Sequence, residues 1–351
     1  MAAYTTIDDP SAYFKCQLYT GTGSSHAVTF NDTDTDMQPD LVITKNREAS
    51  RAPVLFDSIR GVQKRFVTST NDTSGTDANM LTAFGSDGFT VGSSNECNES
   101  SDGIVAWCWK AGTTSGISGS PSITPDSYSF NATSGFSMIK YDGNGTAGAT
   151  LPHGLGAAPE FIIIKSTDAS ESWAVGHDSM TWNYYMYLNT TAAAADDVKY
   201  FNDTSPTSSL FTIGNDGSTN DASNTYIAYV FKPVQGYSKF GTYEGNGHGA
   251  IAFGGTFVYT GFRPAFVMTK SIDSTSDWQI FDNKREGYNV DNDGLVWNDT
   301  DAEVTTDYID LLANGFKLRI ATDPNVAETY VYAAFAEAPF VNSEGVPCNA
   351  R

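Results

Sequence analysis

The chain has 351 residues and sets 41 Asp+Glu against 20 Lys+Arg, a formal charge of −21. Such acidity offers no basic patch to a phosphate backbone and repels an anionic membrane face, so neither nucleic acid nor a membrane surface is an expected partner. With 40% hydrophobic, 13% aromatic and only 17% charged residues, the composition suits many short strands joined by polar turns, not disorder or long helices.

The opening MAAYTTIDDP lacks a basic region followed by an apolar run, so no cleavable signal is expected. No segment reaches the ~18–20 apolar residues that span a bilayer, so no membrane insertion is expected. An alternating strand, YFKCQLYT, then runs into the turn YTGTG at Tyr19–Gly23. The acid-rich NDTDTDM (Asn31–Met37) superficially matches a calcium loop, but the Gly and Glu that such a loop needs are missing, and it reads as a solvated loop. PDLVITK (Pro39–Lys45), VLFDS (Val54–Ser58), GFTVG (Gly88–Gly92) and IVAWCW (Ile104–Trp109) follow. Ala111–Ser134, rich in Gly, Ser, Thr and Pro, reads as a linker or surface arm.

The same landmarks then return in the same order. YDGNG (Tyr141–Gly145) precedes PEFIIIK (Pro159–Lys165), AVGHDS (Ala174–Ser179), LFTIG (Leu210–Gly214) and YIAYVF (Tyr226–Phe231). After the short FKPVQGYSKF come YEGNG (Tyr243–Gly247), PAFVMTK (Pro264–Lys270), QIFDN (Gln279–Asn283), GFKLR (Gly315–Arg319) and YVYAAF (Tyr330–Phe335). The leading prolines lie 120 and 105 residues apart and the tyrosines 122 and 102. Five landmarks in fixed order, three times over, establish tandem duplication. A unit of about 100 residues is too long for a solenoid, so the units are expected to be separate beads. The expected layout is an arm at 1–12, repeat one at 13–112, a linker at 113–134, repeat two at 135–235, repeat three at 236–340 and a tail at 341–351. A fragment spanning 135–340 is expected to be soluble and β-rich.

Within a unit the hydrophobic period is two, as in FSMIKYDG, while FIIIK and YIAYVF are continuously apolar and read as central strands covered on both faces. Turn signals such as GNG, SDG and NDG recur throughout. The prediction is an all-β protein of three tandem antiparallel β-sandwich domains, jelly-roll- or lectin-like. The best helical candidate is Ala192–Tyr200, a turn on the sandwich rim.

Tyr-x-Gly-x-Gly as a phosphate loop would need a following helix, and a strand or turn follows each copy, so a structural turn is expected. The Asn-Asp-Thr sequons at Asn31, Asn71, Asn202 and Asn298 read as turn chemistry, and DNDG (Asp291–Gly294) as a second, equally weak calcium candidate. Cys16, Cys97, Cys108 and Cys348 show no paired spacing and read as reduced, buried thiols, with no zinc site and no cofactor expected. No nucleophile, base and acid constellation is present, and the matched aspartates Asp57, Asp178 and Asp282 read as holding a recurring turn, so the chain is not expected to be an enzyme. Trp173 and Trp278 sit at equivalent places before the second strand and read as packing. WNYYMYL is richer in aromatics than its counterparts; Trp182, Tyr184, Tyr185 and Tyr187 are the candidate carbohydrate surface, since rings stack on sugar faces. The competing reading is burial between sheets or at a subunit contact.

The run YSKFGTYEGNG, FVYTGFRPAFVMTK, DWQIFDNKRE, LLANGFKLR and TYVYAAFAEAPF resembles a repeat domain of virion proteins from marine tailed phages, described as tail-fibre or virion-surface proteins. PDLVITKNREASRAPVLFDSIRG with IVAWCWKAG resembles the first unit of the same proteins, so the likeness spans about residues 13–340. It implies a structural virion protein assembled in a bacterial cytoplasm, contacting other capsid or tail proteins. It further implies a homo-oligomer, trimeric as fibres usually are, with host-surface carbohydrate as the candidate receptor. The family supplies no catalytic or ligand residue to carry over. Without heptads, Gly-X-Y repeats or a shaft, a short fibre, appendage or capsid decoration knob fits better than a long fibre. A polysaccharide depolymerase is the rival from another class.

Overall fold

The computed structural model describes residues 4–30, 33, 35–249, 254–285, 289 and 293–348. All strand pairs within it are antiparallel, and each repeat forms a large sheet with a small sheet laid on one face. The large sheets share one order. In repeat one the first strand, Phe14–Thr20, pairs with the closing strand, Gly103–Trp109; this pairs with the proline-led strand, Leu41–Asn46, which pairs with Val54–Asp57. Phe136–Asp142, Thr225–Phe231, Phe161–Ser166 and Ala174–His177 repeat that order, as do Ser238–Glu244, Thr329–Pro339, Phe262–Ser271 and Gln279–Asp282. The predicted all-β sandwich architecture is therefore present in all three units.

The units are not beads. Strand alternation sends successive side chains to opposite faces, and here both faces have a core to fill. In Phe161–Ser166, Ile162 and Ile164 enter the interior between repeat two's own sheets, while Phe161 and Ile163 enter a second core shared by all three repeats. The closing strands divide likewise: Ala106 and Cys108 face repeat one's sandwich, while Val105, Trp107 and Trp109 face the shared core. Tyr332 and Ala334 face repeat three's sandwich, and Val331, Ala333 and Phe335 the shared core. This double demand is why these strands read as continuously apolar.

At the centre stand three equivalent aromatics, Trp109, Phe231 and Phe335, opposite Leu41, Phe161 and Phe266 in their respective ladders. Their ring centroids lie 6.4, 5.5 and 5.8 Å apart pairwise, so each touches the other two. The three large sheets thus close around one axis.

Two local expectations change. Ala111–Ser134 is not a free linker: Ile123 is buried in repeat two's core, and Ser127–Asn131 adds an outer strand alongside Phe136–Asp142. In Ala192–Tyr200 only the end is helical, within Val198–Phe201, capped by the Asp197 side chain on the Lys199 amide; Ala195–Asp196 pairs with Tyr184–Tyr187 as a strand. The alanines promote a helix, but pairing with a neighbouring strand prevails.

Candidate functional site

The Tyr-x-Gly-x-Gly turns are built identically, around an asparagine from the other end of each repeat. Asn98, Asn220 and Asn325 are fully buried. Each side-chain oxygen accepts from the residue between the two glycines, namely the amides of Thr22, Asn144 and Asn246. Each backbone carbonyl accepts from the second glycine, Gly23, Gly145 or Gly247. Their amide nitrogens donate to carbonyls on both sides; that of Asn220 reaches Thr146 and Gly214. The first glycine is required by crowding, because a Cβ on Gly21, Gly143 or Gly245 would strike a backbone carbonyl. The second is required by φ, which is +64°, +66° and +65°. With these amides donated internally, none is left to cradle a phosphate.

The second strands correct the aspartate alignment. Leu41 pairs with Asp57 and Phe266 with Asp282, but Phe161 pairs with His177. The equivalent set is Asp57, His177 and Asp282; Asp178 lies one residue further, matching Ser58 and Asn283, whose amides likewise bond the residue before the paired strand position. All three members of the set are buried and each reaches into the next repeat. The Asp282 carboxylate accepts from the Trp107 indole at 3.1 Å, and His177 Nε2 meets the Tyr332 carbonyl at 3.3 Å. His177 Nδ1 accepts from the Ser179 amide, so Nε2 carries the proton and donates. Burial pushes His177 down to about 4, keeping the imidazole neutral. Arg285 holds the Asp282 carboxyl below its ordinary range against the opposing effect of burial. These polar groups are consumed in joining repeats.

The same holds for three equivalent lysines at the ends of the proline-led strands. Lys45, Lys165 and Lys270 are buried, and burial lowers each to about 8. Their ammonium groups sit among carbonyls. Lys45 donates to Arg51 and, in repeat three, Thr300; Lys165 donates to Asn71 of repeat one and to Ser166 and Ala169. Neither the asparagines nor the lysines stood out as functional from their residue type. The asparagines recur 122 and 105 residues apart, nearly the spacing of the tyrosines, and that was their signal.

The aromatic stretch of repeat two divides by face. Trp182 is buried, edge-on to Phe201 at 5.4 Å, with its indole donating to Asp178 at 3.0 Å. Tyr185 lies flat on Tyr200 at 3.5 Å between centroids, and Tyr187 stands edge-on to both, its hydroxyl bonded to that of Tyr200. Tyr184 is 39% exposed. The rim therefore presents the outer parts of Tyr185 and Tyr187, held by Tyr200 beneath, while Tyr184 stands exposed on the strand's other face, the side of Met186. Trp173 and Trp278 are buried in the shared core, and their indoles donate to carbonyls of the preceding repeat, Thr70 and Tyr187.

Among the described residues no group of three His, Cys, Asp or Glu is placed to hold a metal. The calcium candidates Asn31–Met37 and Asp291–Gly294 and the sequon at Asn31 fall wholly or partly outside the described residues. Cys16, Cys97 and Cys108 are buried free thiols, whereas Cys348 is exposed. No helix among the described residues is long and apolar enough to cross a membrane. A family model described as a domain of unknown function, DUF7483, matches residues 9–339. No curated protein and no solved structure matches the chain.

Proposed function

The chain belongs to the DUF7483 family, and we propose that it serves as a non-enzymatic structural protein of a phage virion, a compact knob or short appendage. The observation that carries this reading is the closure of three repeats around one core, with buried polar side chains spent on joining repeats. A chain built this way is a rigid, protease-resistant block, and its −21 charge keeps it soluble and off packaged DNA. The resemblance to virion proteins supplies the setting. The test is cryo-electron microscopy of purified particles from a phage encoding the chain, with mass spectrometry of the same particles. Density matching a three-sheet knob is expected at the capsid or tail; absence of the chain from purified particles overturns the proposal.

The braced tyrosines favour an added role in binding host-surface carbohydrate. Tyr185 forms its contact face, because a ring backed by Tyr200 loses little freedom when a sugar stacks on it, while Tyr184, on the opposite face of the strand, offers a separate exposed ring. Binding of whole host cells should fall in a Tyr184→Ala/Tyr185→Ala variant; unchanged binding removes this role.

A further inference from the structure

The boundary between consecutive repeats is the same place three times, and it is finished differently each time. Backbone bonds fix the correspondence: Ser58 N–H donates to the Asp40 carbonyl, Asp178 to Glu160 and Asn283 to Ala265. At the boundary of repeats two and three, Lys239 from the first strand of repeat three lies near Glu160 and offsets part of the rise that burial and Asp178 impose on that carboxyl. At the boundary of repeats three and one, Ala265 and Asn283 face Phe14 and Lys15, leaving about 60 Å³. At the boundary of repeats one and two the wall is the added strand Ser127–Asn131 and its approach, and about 740 Å³ stays open.

We infer that this crevice between repeats one and two is a binding site for a neutral oligosaccharide. Half of its lining is polar, and those groups are already held in place. Asp40, 6% exposed, accepts from the Ser58 hydroxyl at 2.7 Å and the Ala111 amide at 2.8 Å. The Ser129 hydroxyl accepts from the Gly112 amide at 2.8 Å, leaving its own proton to give, while Ser58, already donating, is left with lone pairs. Gln38 and Lys110 add an amide and a cation.

The ligand class follows from this inventory. Fixed donors and acceptors side by side match a molecule that carries both on every face, as a sugar does. An apolar ligand would cover the remaining lone pairs of Asp40 and Ser58 and the Ser129 proton without pairing them. Lys110 and, through its ion pair with Asp126, Lys140 balance the two acids of the lining, so the crevice carries no net charge to draw an ion, and the chain as a whole, at −21, repels an anion. The volume lies within the roughly 300–1,000 Å³ typical of small-ligand sites. The inference is independent of virion placement, which particle microscopy decides separately.

The test is a glycan array of neutral oligosaccharides probed with the full chain, followed by calorimetric titration of the strongest hit. Thr114→Trp places a ring at the exposed mouth without entering a core, and Asp40→Asn removes the carboxylate at nearly constant size. Titration should show at least a tenfold loss in both variants, with the melting temperature of Thr114→Trp unchanged. Three results overturn the inference: no array hit for the wild-type chain, a hit indifferent to Thr114→Trp, or a hit abolished by Tyr185→Ala alone. The last would move sugar binding to the tyrosine rim.

Discussion

The Tyr229 hydroxyl of repeat two donates to the Asp57 carboxylate of repeat one across 2.7 Å, with both side chains buried. Asp57 also takes the Arg60 guanidinium and backbone amide, so Tyr229 completes a charged cluster without being its only support. Tyr229→Phe deletes one hydrogen bond to a buried charge and leaves the ring in place. The expected loss is about 1.5–3 kcal/mol by chemical denaturation. A change below about 0.5 kcal/mol would mean that the contact adds nothing to joining the repeats.

Because the shared core draws on every repeat, the whole chain should unfold in one calorimetric transition. The fragment 135–340, reasonable for independent domains, now carries the opposite expectation. It would expose Phe231, Phe266 and Phe335 where repeat one had covered them, and should aggregate or bind a hydrophobic dye. A soluble fragment with sharp near-ultraviolet dichroism would show that two repeats suffice.

The turn glycines should separate by mechanism. Gly143→Ala drives a methyl into the Asp221 carbonyl and should cost about 1–3 kcal/mol. Gly145→Ala meets only ordinary contact with Ala222, and its cost, about 1–2 kcal/mol, comes from φ alone. Asn220→Ala leaves the Asn144 amide and two carbonyls unpaired and should be the worst of the three, judged by melting temperature.

Lys165 gives a pH signature. Its folded value of about 8 lies below the ordinary 10.5, so between these limits the unfolded chain holds the proton that the folded chain has released. Stability contributed by this group therefore rises with pH across that window. Buried thiols and tyrosines act oppositely near pH 9–10, so the clean measurement is the difference between wild type and Lys165→Met. The wild type should gain on the variant from pH 8 to 10. A constant difference would mean that Lys165 titrates normally.

Much of the fold was legible because its signals are local. Alternation, turn residues and the recurrence of Tyr19, Tyr141 and Tyr243 mark each sandwich without reference to anything distant. What was not legible is what covers the second face of a strand such as Phe161–Ser166, since burial by a neighbouring repeat leaves the same apolar run as burial by a second sheet. The aspartate alignment failed for a related reason: AVGHDS offers an Asp next to the true position, and only the pairing of Phe161 with His177 decides between them. Of the aromatic candidates, sequence could not tell Trp182, which is buried, from Tyr184, which is not. The crevice beside Asp40 depends on where an extra strand comes to rest, which no residue in it announces.

The joining contacts also have a genetic consequence. In a trimer of identical chains, any substitution at the axis appears three times at once. Here the equivalent positions hold Trp107, Tyr229 and Ala333, and where Ala333 is too short to meet His177, the Tyr332 carbonyl does so instead. With the copies in one polypeptide each can change alone, and the boundaries of repeats one and two and of repeats three and one accordingly differ, about 740 Å³ standing open at the first and about 60 Å³ at the second.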